Sequence, residues 1–444
     1  MNVETARTPG GAISDEATSS LNEMTNVIIQ PVAMPLKTKG SVTLRKIWKE
    51  EPPNISLTNR RTKSTVGGKR LAAYLGAPIP IHCKKDSSMY DVIVLGAGPT
   101  GCTAAHELAS NGYKVLLVER NSLPRNKSCS GILINRTMNL VQRFFGEPVP
   151  DCTCCTPYDN RGMVLFTDTG EELRFEQPGK NVWRSDFDYW LAQKAVTAGA
   201  QLRTETAALG YEETAGGVSV RLKAAGTGSR EYSETAKMVI VCTGAGSSLR
   251  LTGRRTVNPV FTYQTFCTGT IDLDPHYFYA FLQPRFSRYD AWFNVKDDYL
   301  IFGVASQDAR TLPGYYKEFR RYMETSYRAQ ATSHHEEQWL MPYVAPGCPL
   351  VLGRNRILVA GEAAGFLNPM GEGISDGMES GYHAARAIIE TNMEHHSSEQ
   401  TYEVIQAAYR KATEELHRYM RRQWNFIGYT SSTFSHMKDS GSLL

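Results

Sequence analysis

Residues 90–119 read YDVIVLGAGPTGCTAAHELASNGYKVLLVE. Asp91–Leu95 has the length and apolar run of a buried strand. The glycine cluster GAGPTG follows at once. CTAAHELASNG then carries small residues early and Gly112 at its end, which predicts a helix with that glycine as its C-cap. KVLLV predicts a second strand, ending at Glu119. Strand, loop, helix, strand and acid in this order form a β-α-β unit of about 30 residues, the setting in which a glycine loop cradles a pyrophosphate. Gly96 permits the tight turn out of the strand. Gly98 lets backbone approach phosphate, with Pro99 and Thr100 opening the helix, and Gly101 allows close helix–strand packing. The helix N-terminus adds N–H groups and a positive dipole end. Glu119, followed by Arg120, stands where a carboxylate accepts hydrogen bonds from a ribose diol, each worth about 1.5–3 kcal/mol. A carboxylate there disfavours a 2′-phosphate, so the expected nucleotide is FAD or NAD.

The 444 residues suit two or three domains, and 41% hydrophobic with 21% charged residues is ordinary for a soluble globular enzyme. No apolar run approaches the roughly 18 residues of a membrane span. The first twenty residues lack a basic-then-apolar export pattern. Nine scattered cysteines do not read as a disulfide framework, so a reducing cytoplasm is the expected compartment. The net charge of +4 is uneven: residues 1–88 hold 13 Lys and Arg against 7 Asp and Glu, the rest 36 against 38. That first segment is polar, basic and punctuated by Pro and Gly, and is expected to be a disordered extension. Its run KSTVGGKR reads as a solvated tail, with peripheral contact to a membrane surface or an acidic partner as the second reading. No nucleic-acid motif appears.

Beyond Glu119, MVLFTDTGEELRF (163–175) alternates in strand fashion, a helix is expected at 185–199, and strands recur within 202–223. KMVIVCTG (237–244) reads as another buried parallel strand. Residues 261–305 are aromatic and strand-rich, with KDD (296–298) as a hairpin turn. Residues 356–381 return to strand, loop and helix, and 400–425 form a charged amphipathic helix.

The segment GEAAGFLNPMGEGI (361–374) resembles the flavin-binding motif of the para-hydroxybenzoate hydroxylase superfamily. The resemblance makes Gly361 and Glu362 ribityl-binding residues, with Glu362 in place of the usual Asp and one methylene longer. Pro369, Gly371, Gly373 and Ile374 would wrap the isoalloxazine, with the helix start offering its positive end to charge that grows on reduction. CTGAGSSLR (242–250) resembles the superfamily's A-D-G-x-x-S-x-x-R segment, keeping Gly244 and replacing the Asp by Thr243. RSDFDYWLAQKAVTAGA (184–200) resembles R-x-x-F-D-x-x-L-x-x-A and puts Arg184 near the cofactor.

The subfamily is marked by PRNKSCSG (124–131), similar to P-x-x-K-x-C-G-G of the geranylgeranyl reductase family; Ser130 replaces a Gly. The resemblance places Lys127 at the cofactor and Cys129 at flavin and substrate. A thiol beside that lysine and the flavin is expected to ionise more readily than usual. YDAWFNVKDD (289–298) partly matches the family's Y-x-W-x-F-P-K: Trp292 and Lys296 agree, Tyr289 is one place early, and Asn294 and Val295 replace Phe and Pro. Tyr289 and Trp292 are the expected cavity-lining residues.

Fold class follows as α/β: a doubly wound FAD-binding domain with an inserted antiparallel substrate-binding sheet and a helical C-terminus. The FAD-binding part takes about 89–160, 184–258 and 345–390, the sheet 161–183 and 259–344, and the C-terminal segment 391–444. The implied function is reduction of carbon–carbon double bonds in a prenyl or other hydrophobic substrate, by hydride transfer from reduced FAD. Cys129 is the candidate acid. The electron donor is NAD(P)H or a reduced ferredoxin, and the substrate is a hydrophobic small molecule or lipid. Two rival readings stand: an FAD monooxygenase or halogenase acting on an aromatic, and a non-catalytic flavin redox sensor. No metal is expected. CTCC (152–155) reads as free thiols, and the paired histidines at 334–335 and 395–396 as solvated.

Overall fold

The computed structural model describes residues 89–226, 231–245, 259–342, 350–369, 371–391 and 399–430. The basic extension 1–88, residues 246–250 of CTGAGSSLR and the pair His395–His396 lie outside the described residues.

The opening unit forms as its sequence dictates: β1 (Tyr90–Leu95), α1 (Pro99–Ser110) and β2 (Val115–Val118). The helix starts three residues ahead of CTAAHELASNG, because a proline's fixed φ suits the first helical position. Its C-cap is Asn111, and Gly112 takes the left-handed φ of 86° just after it. β6 (Gln201–Arg203), β9 (Glu231–Val241) and β16 (Ile357–Val359) complete a parallel array in the order β16-β9-β1-β2-β6. β15 (Gly353–Arg354) pairs antiparallel with β16. β7 (Thr206–Thr214) and β8 (Gly217–Ala224) run antiparallel into β9.

The pleat divides β1 between two cores. Val92 and Val94 face α1, α2 (Asn135–Phe145), α3 (Arg184–Thr197) and α5 (Ile374–Glu390). Ile93 and Leu95 face the β7–β8 hairpin and a central core shared with the second sheet. Leu416, Met420 and Trp424 of the long helix α6 (Glu399–Thr430) enter that central core.

The second sheet has the order β14 (Gln330–Pro342), β10 (Pro259–Thr270), β13 (Tyr299–Ser306), β12 (Ala291–Lys296), β11 (Tyr277–Phe281), β4 (Cys154–Phe166), β5 (Glu172–Val182) and β3 (Ile132–Leu133). All its pairs are antiparallel except β11 with β4. The KDD turn closes the β12–β13 hairpin, with Asp297 at φ 50°. The sheet takes up chain well before residue 161. Ladder irregularities between Cys154 and Asp159 and between Asn160 and Gly162 scramble the alternation of β4, so its strand character is plain in the sequence only beyond Gly162.

The outer face packs Phe281, Phe293 and Phe302 on Phe319 and Met323 of α4 (Leu312–Tyr327). The inner face gives Met163, Leu165, Phe278, Ala280, Trp292 and Ala305 to the central core.

Candidate flavin and substrate site

The glycine loop is shaped by close approach. A Cβ on Gly96 (φ +106°) would lie 2.5 Å from the Cys242 carbonyl oxygen, and one on Gly101 1.9 Å from the Gly96 oxygen. A Cβ on Gly98 would meet only the Arg125 guanidinium, at 3.5 Å. Gly98 is the N-cap of α1 and supplies no side-chain cap, with Pro99 next. The helix therefore presents a bare N-terminus suited to an anion. The buried carboxylate of Glu119 accepts from Ala97 N–H at 3.1 Å and Asn121 N–H at 3.0 Å, and lies 3.4 Å from Arg125 Nε. Arg120 is exposed just beyond it.

Thr100 is where the two distant motifs meet. A Cβ on Gly361 would lie 2.4 Å from Thr100 Oγ1, on Gly377 2.6 Å from the same atom, and on Gly381 2.3 Å from the Thr100 carbonyl. Gly361 N–H is held by Ser380 Oγ at 2.9 Å. Glu362 stands beside Gly244, a Cβ on which would be 3.4 Å from its Oε2. These contacts bring Gly96–Gly101, Gly244 and Gly361–Glu362 together.

Further along, Asn368 Oδ1 accepts from Glu372 N–H at 2.9 Å, and Gly371 takes φ 76°. Glu372 Oε1 accepts from Ser375 N–H at 2.8 Å, bracing the start of α5 just after Gly373 and Ile374. Burial and the neighbouring Asp376 push the Glu372 carboxyl up to about 7. Arg136 of α2 pairs with Asp376 and Glu379 and lies over the Tyr419 ring. Pro369 receives the Tyr289 hydroxyl on its carbonyl, 2.7 Å away.

Cys129 is 5% exposed, and its sulfur accepts from Gly131 N–H at 3.1 Å. Two cations, the buried Arg184 and the Lys127 suggested by the sequence, act on it electrostatically. Arg184 also grips Asp188 through two bonds of 2.7 and 2.9 Å, and Arg125 reaches the same carboxylate at 3.1 Å. Burial opposes the charge of Arg184, but Asp188 and then Cys129 outweigh it and raise its pKa. A continuous chain of charge thus runs from Glu119 through Arg125 and Asp188 to Arg184. Lys127 sits 4.3 Å over the Trp339 ring; burial lowers its pKa and Glu362 opposes that shift.

The segment around Cys129 lies across the inner face of the second sheet. Ser128 donates to Glu337 of β14 at 2.6 Å and receives Gln264 Nε2 of β10 at 3.1 Å. A Cβ on Gly131 would be 2.3 Å from Lys296 Nζ of β12, which itself donates to the Val182 carbonyl at 2.6 Å. Trp292 is fully buried on this face. The sequence missed Arg125, Asp188, Arg136 and Gln264. Asp188 had a signal, as the acid of R-x-x-F-D; Arg136 and Gln264 are defined only by partners far away in the chain, and Arg125 by Glu119 together with the distant Asp188. Among the described residues no group of His, Cys, Asp and Glu could hold a metal. Burial pushes Cys154 up to about 11 and Cys155 up to about 12, so those thiols stay protonated.

The geometry fits FAD: an uncapped helix start, a carboxylate at the end of β2, and glycines that leave backbone exposed where a Cβ would intrude. Comparison agrees. A family model for an FAD binding domain matches residues 89–258, and one for FAD dependent oxidoreductases matches 185–378. A digeranylgeranylglycerophospholipid reductase of Methanocaldococcus jannaschii is 30% identical over 167 residues, 37% of this chain and 40% of that protein's length. One from Methanothermobacter thermautotrophicus is 26% identical over 306 residues, 66% of this chain and 75% of the relative. The structure of a geranylgeranyl bacteriochlorophyll reductase-like protein from Thermoplasma acidophilum superposes with a TM-score of 0.66 at 20% identity, covering 79% of this chain and 90% of that one. A myxobacterial chondrochloren halogenase shares the fold, with a TM-score of 0.60 at 20% identity over 79% of this chain and 86% of the other. The chain thus carries regions matched by FAD-binding and FAD-dependent oxidoreductase models and is related to the geranylgeranyl reductases, although it spans less than half the length of the first of those relatives.

Proposed function

We propose that the protein reduces carbon–carbon double bonds of a prenyl or other hydrophobic substrate. One observation carries this reading. The two segments that resemble geranylgeranyl reductases, PRNKSCSG and YDAWFNVK, lie far apart in sequence and touch at Gly131 and Lys296. FAD, when bound, supplies the two electrons that the reduction consumes. The protein's own part is orientation, exclusion of water and proton supply. Ala97, Gly98 and Glu119 hold the nucleotide end. Tyr289 steadies the loop at Pro369. Phe278 and Trp292 keep the inner face dry. Cys129 is the proton donor in this reading, and Arg184, held in place by Asp188, sets the charge beside its sulfur. The electron donor in this reading is NAD(P)H or a reduced ferredoxin, and the substrate is a lipid or similarly apolar molecule.

The test is reoxidation of the reduced holoprotein under anaerobic conditions. Recovery of the oxidised flavin spectrum on mixing with a geranylgeranyl lipid, with a product heavier by two hydrogens, supports the reading. Recovery with oxygen alone overturns it in favour of oxygenation. Cys129→Ala is expected to cut turnover at least tenfold, about 1.4 kcal/mol, while flavin stays bound; unchanged turnover removes the thiol from the mechanism.

A further inference from the structure

One rung of the second sheet carries an unusual set of polar atoms. It crosses Ala280 (β11), Trp292 (β12), Gly303 (β13), Gln264 (β10) and Glu337 (β14). Gly303 makes the space: a Cβ there would stand 1.9 Å from Trp292 Cζ2 and 2.0 Å from Cε2. The indole therefore lies across β13, on the side of Gln264. Its Nε1–H, bonded to Cε2, has no hydrogen-bond partner among the described residues, although Trp292 is fully buried. Beyond Gly303, Gln264 Nε2 donates to Ser128 at 3.1 Å and Glu337 at 3.3 Å. That fixes the amide and leaves Oε1 buried and unpartnered. Two residues along β12, on the same face, Asn294 is 1% exposed and lacks partners at both Oδ1 and Nδ2.

Each unpartnered buried polar atom is destabilising, and such atoms are scarce in folded proteins. Four of them on Trp292, Gln264 and Asn294, with Thr262 Oγ1 a fifth on the same face, amount to a large standing cost. The other face of β12 shows that the strand is not polar in general: there Ala291 and Phe293 pack into an apolar core. The four atoms comprise two donors, Trp292 Nε1 and Asn294 Nδ2, and two acceptors, Gln264 Oε1 and Asn294 Oδ1. They match a neutral group with a small hydrogen-bonding oxygen. A bare hydrocarbon would leave all four unpaired.

On the reductase reading above, we infer that the apolar substrate carries a neutral oxygen function on the inner face of the second sheet: Trp292 Nε1 and Asn294 Nδ2 donate to a hydroxyl or carbonyl oxygen, and Gln264 Oε1 accepts from the O–H where that oxygen is a hydroxyl. This distinguishes the substrate from a plain prenyl chain, and it accounts for Asn294 standing where the related motif has an apolar Phe.

The test needs no turnover. FAD-loaded oxidised protein is titrated with three saturated branched C20 probes in the same detergent: a ketone, a primary alcohol and the hydrocarbon. Tryptophan fluorescence and the flavin spectrum report binding. At least one oxygenated probe is expected to bind tenfold or more tightly than the hydrocarbon, and the two oxygenated arms separate carbonyl from hydroxyl. Asn294→Leu is expected to shrink that ratio severalfold, and Gln264→Leu to do so for the alcohol. Asn294→Leu should also hold or raise the Tm, because it removes a buried amide that nothing satisfies; a purely structural asparagine would behave in the opposite way. Equal binding of the three probes, a ratio that survives both substitutions, or a lowered Tm in Asn294→Leu overturns the proposal. Should one variant not fold, the other decides. Preferential binding without any lipid-driven reoxidation would keep this subsite and discard the reductase reading; reoxidation by a plain geranylgeranyl chain with no binding preference would do the reverse.

Discussion

The Tyr289 hydroxyl donates to the Pro369 carbonyl across 2.7 Å, joining the entry to β12 with the loop of the second glycine motif. It couples the second sheet to the flavin-binding residues. Removing that hydroxyl leaves a buried carbonyl without this donor. Tyr289→Phe is expected to lower stability by about 1 kcal/mol and to weaken FAD retention severalfold. Denaturant titration and the Kd for FAD, measured by flavin fluorescence, check both effects.

Asp188 is fully buried and holds Arg184 and Arg125 at once. Deleting it strands the Arg184 guanidinium in the interior and leaves Arg125 with Glu119 as its ion-pair partner, at a cost of about 3–5 kcal/mol. Asp188→Ala should drop the urea midpoint sharply. Asp188→Asn should be less harmful, since it keeps the volume and one acceptor. Equal stability of all three proteins would show that the charge chain contributes nothing.

Asp290 lies at the entrance to β12, where burial pushes its carboxyl up to about 8 and one oxygen has no partner among the described residues. The folded protein therefore keeps this proton while the unfolded chain releases it near pH 4. Its contribution is fully present below pH 4 and is lost as pH rises through about 8. The effect is on the order of a few kcal/mol. Asp290→Asn, neutral at every pH, should match the parent protein below about pH 4 and exceed it increasingly up to about pH 8. Parallel stability curves across that range would refute this.

Gly303→Ala places a methyl group into the Trp292 ring, within 1.9 Å in the present packing. Overpacking of this kind costs about 1–3 kcal/mol. A lower Tm with a shifted tryptophan emission is expected. An unchanged emission spectrum would mean that the indole has other room to move.

The nucleotide-binding unit was legible in the sequence because its determinants are local. Glycine spacing, strand length and the acid at Glu119 all lie within one 30-residue window, and the 361–374 loop is similarly self-contained. The second sheet was legible as strands but not as an order. Nothing in residues 154–166 says that they pair in parallel with 277–281, and the irregular ladder of β4 hides its alternation. Lys127 was legible as a cation for Cys129 because it is two residues away; Arg184, which also acts on that sulfur, was not, because only the fold brings its helix there. The replacement at Asn294 was visible as a letter, but its lack of partners emerges only once the rung is assembled.

The contacts of Thr100 with Gly361, Gly377 and Gly381 bear on synthesis of the chain. During translation, β1, α1 and β2 leave the ribosome more than 230 residues ahead of β16 and α5. Until those later elements emerge, the parallel array lacks its β16 edge and the glycine loop its lower wall. A nascent chain stalled before residue 357 can hold the nucleotide at one end only. Cofactor capture is therefore a late event in the life of each molecule, and the supply of free flavin matters at chain completion rather than at initiation.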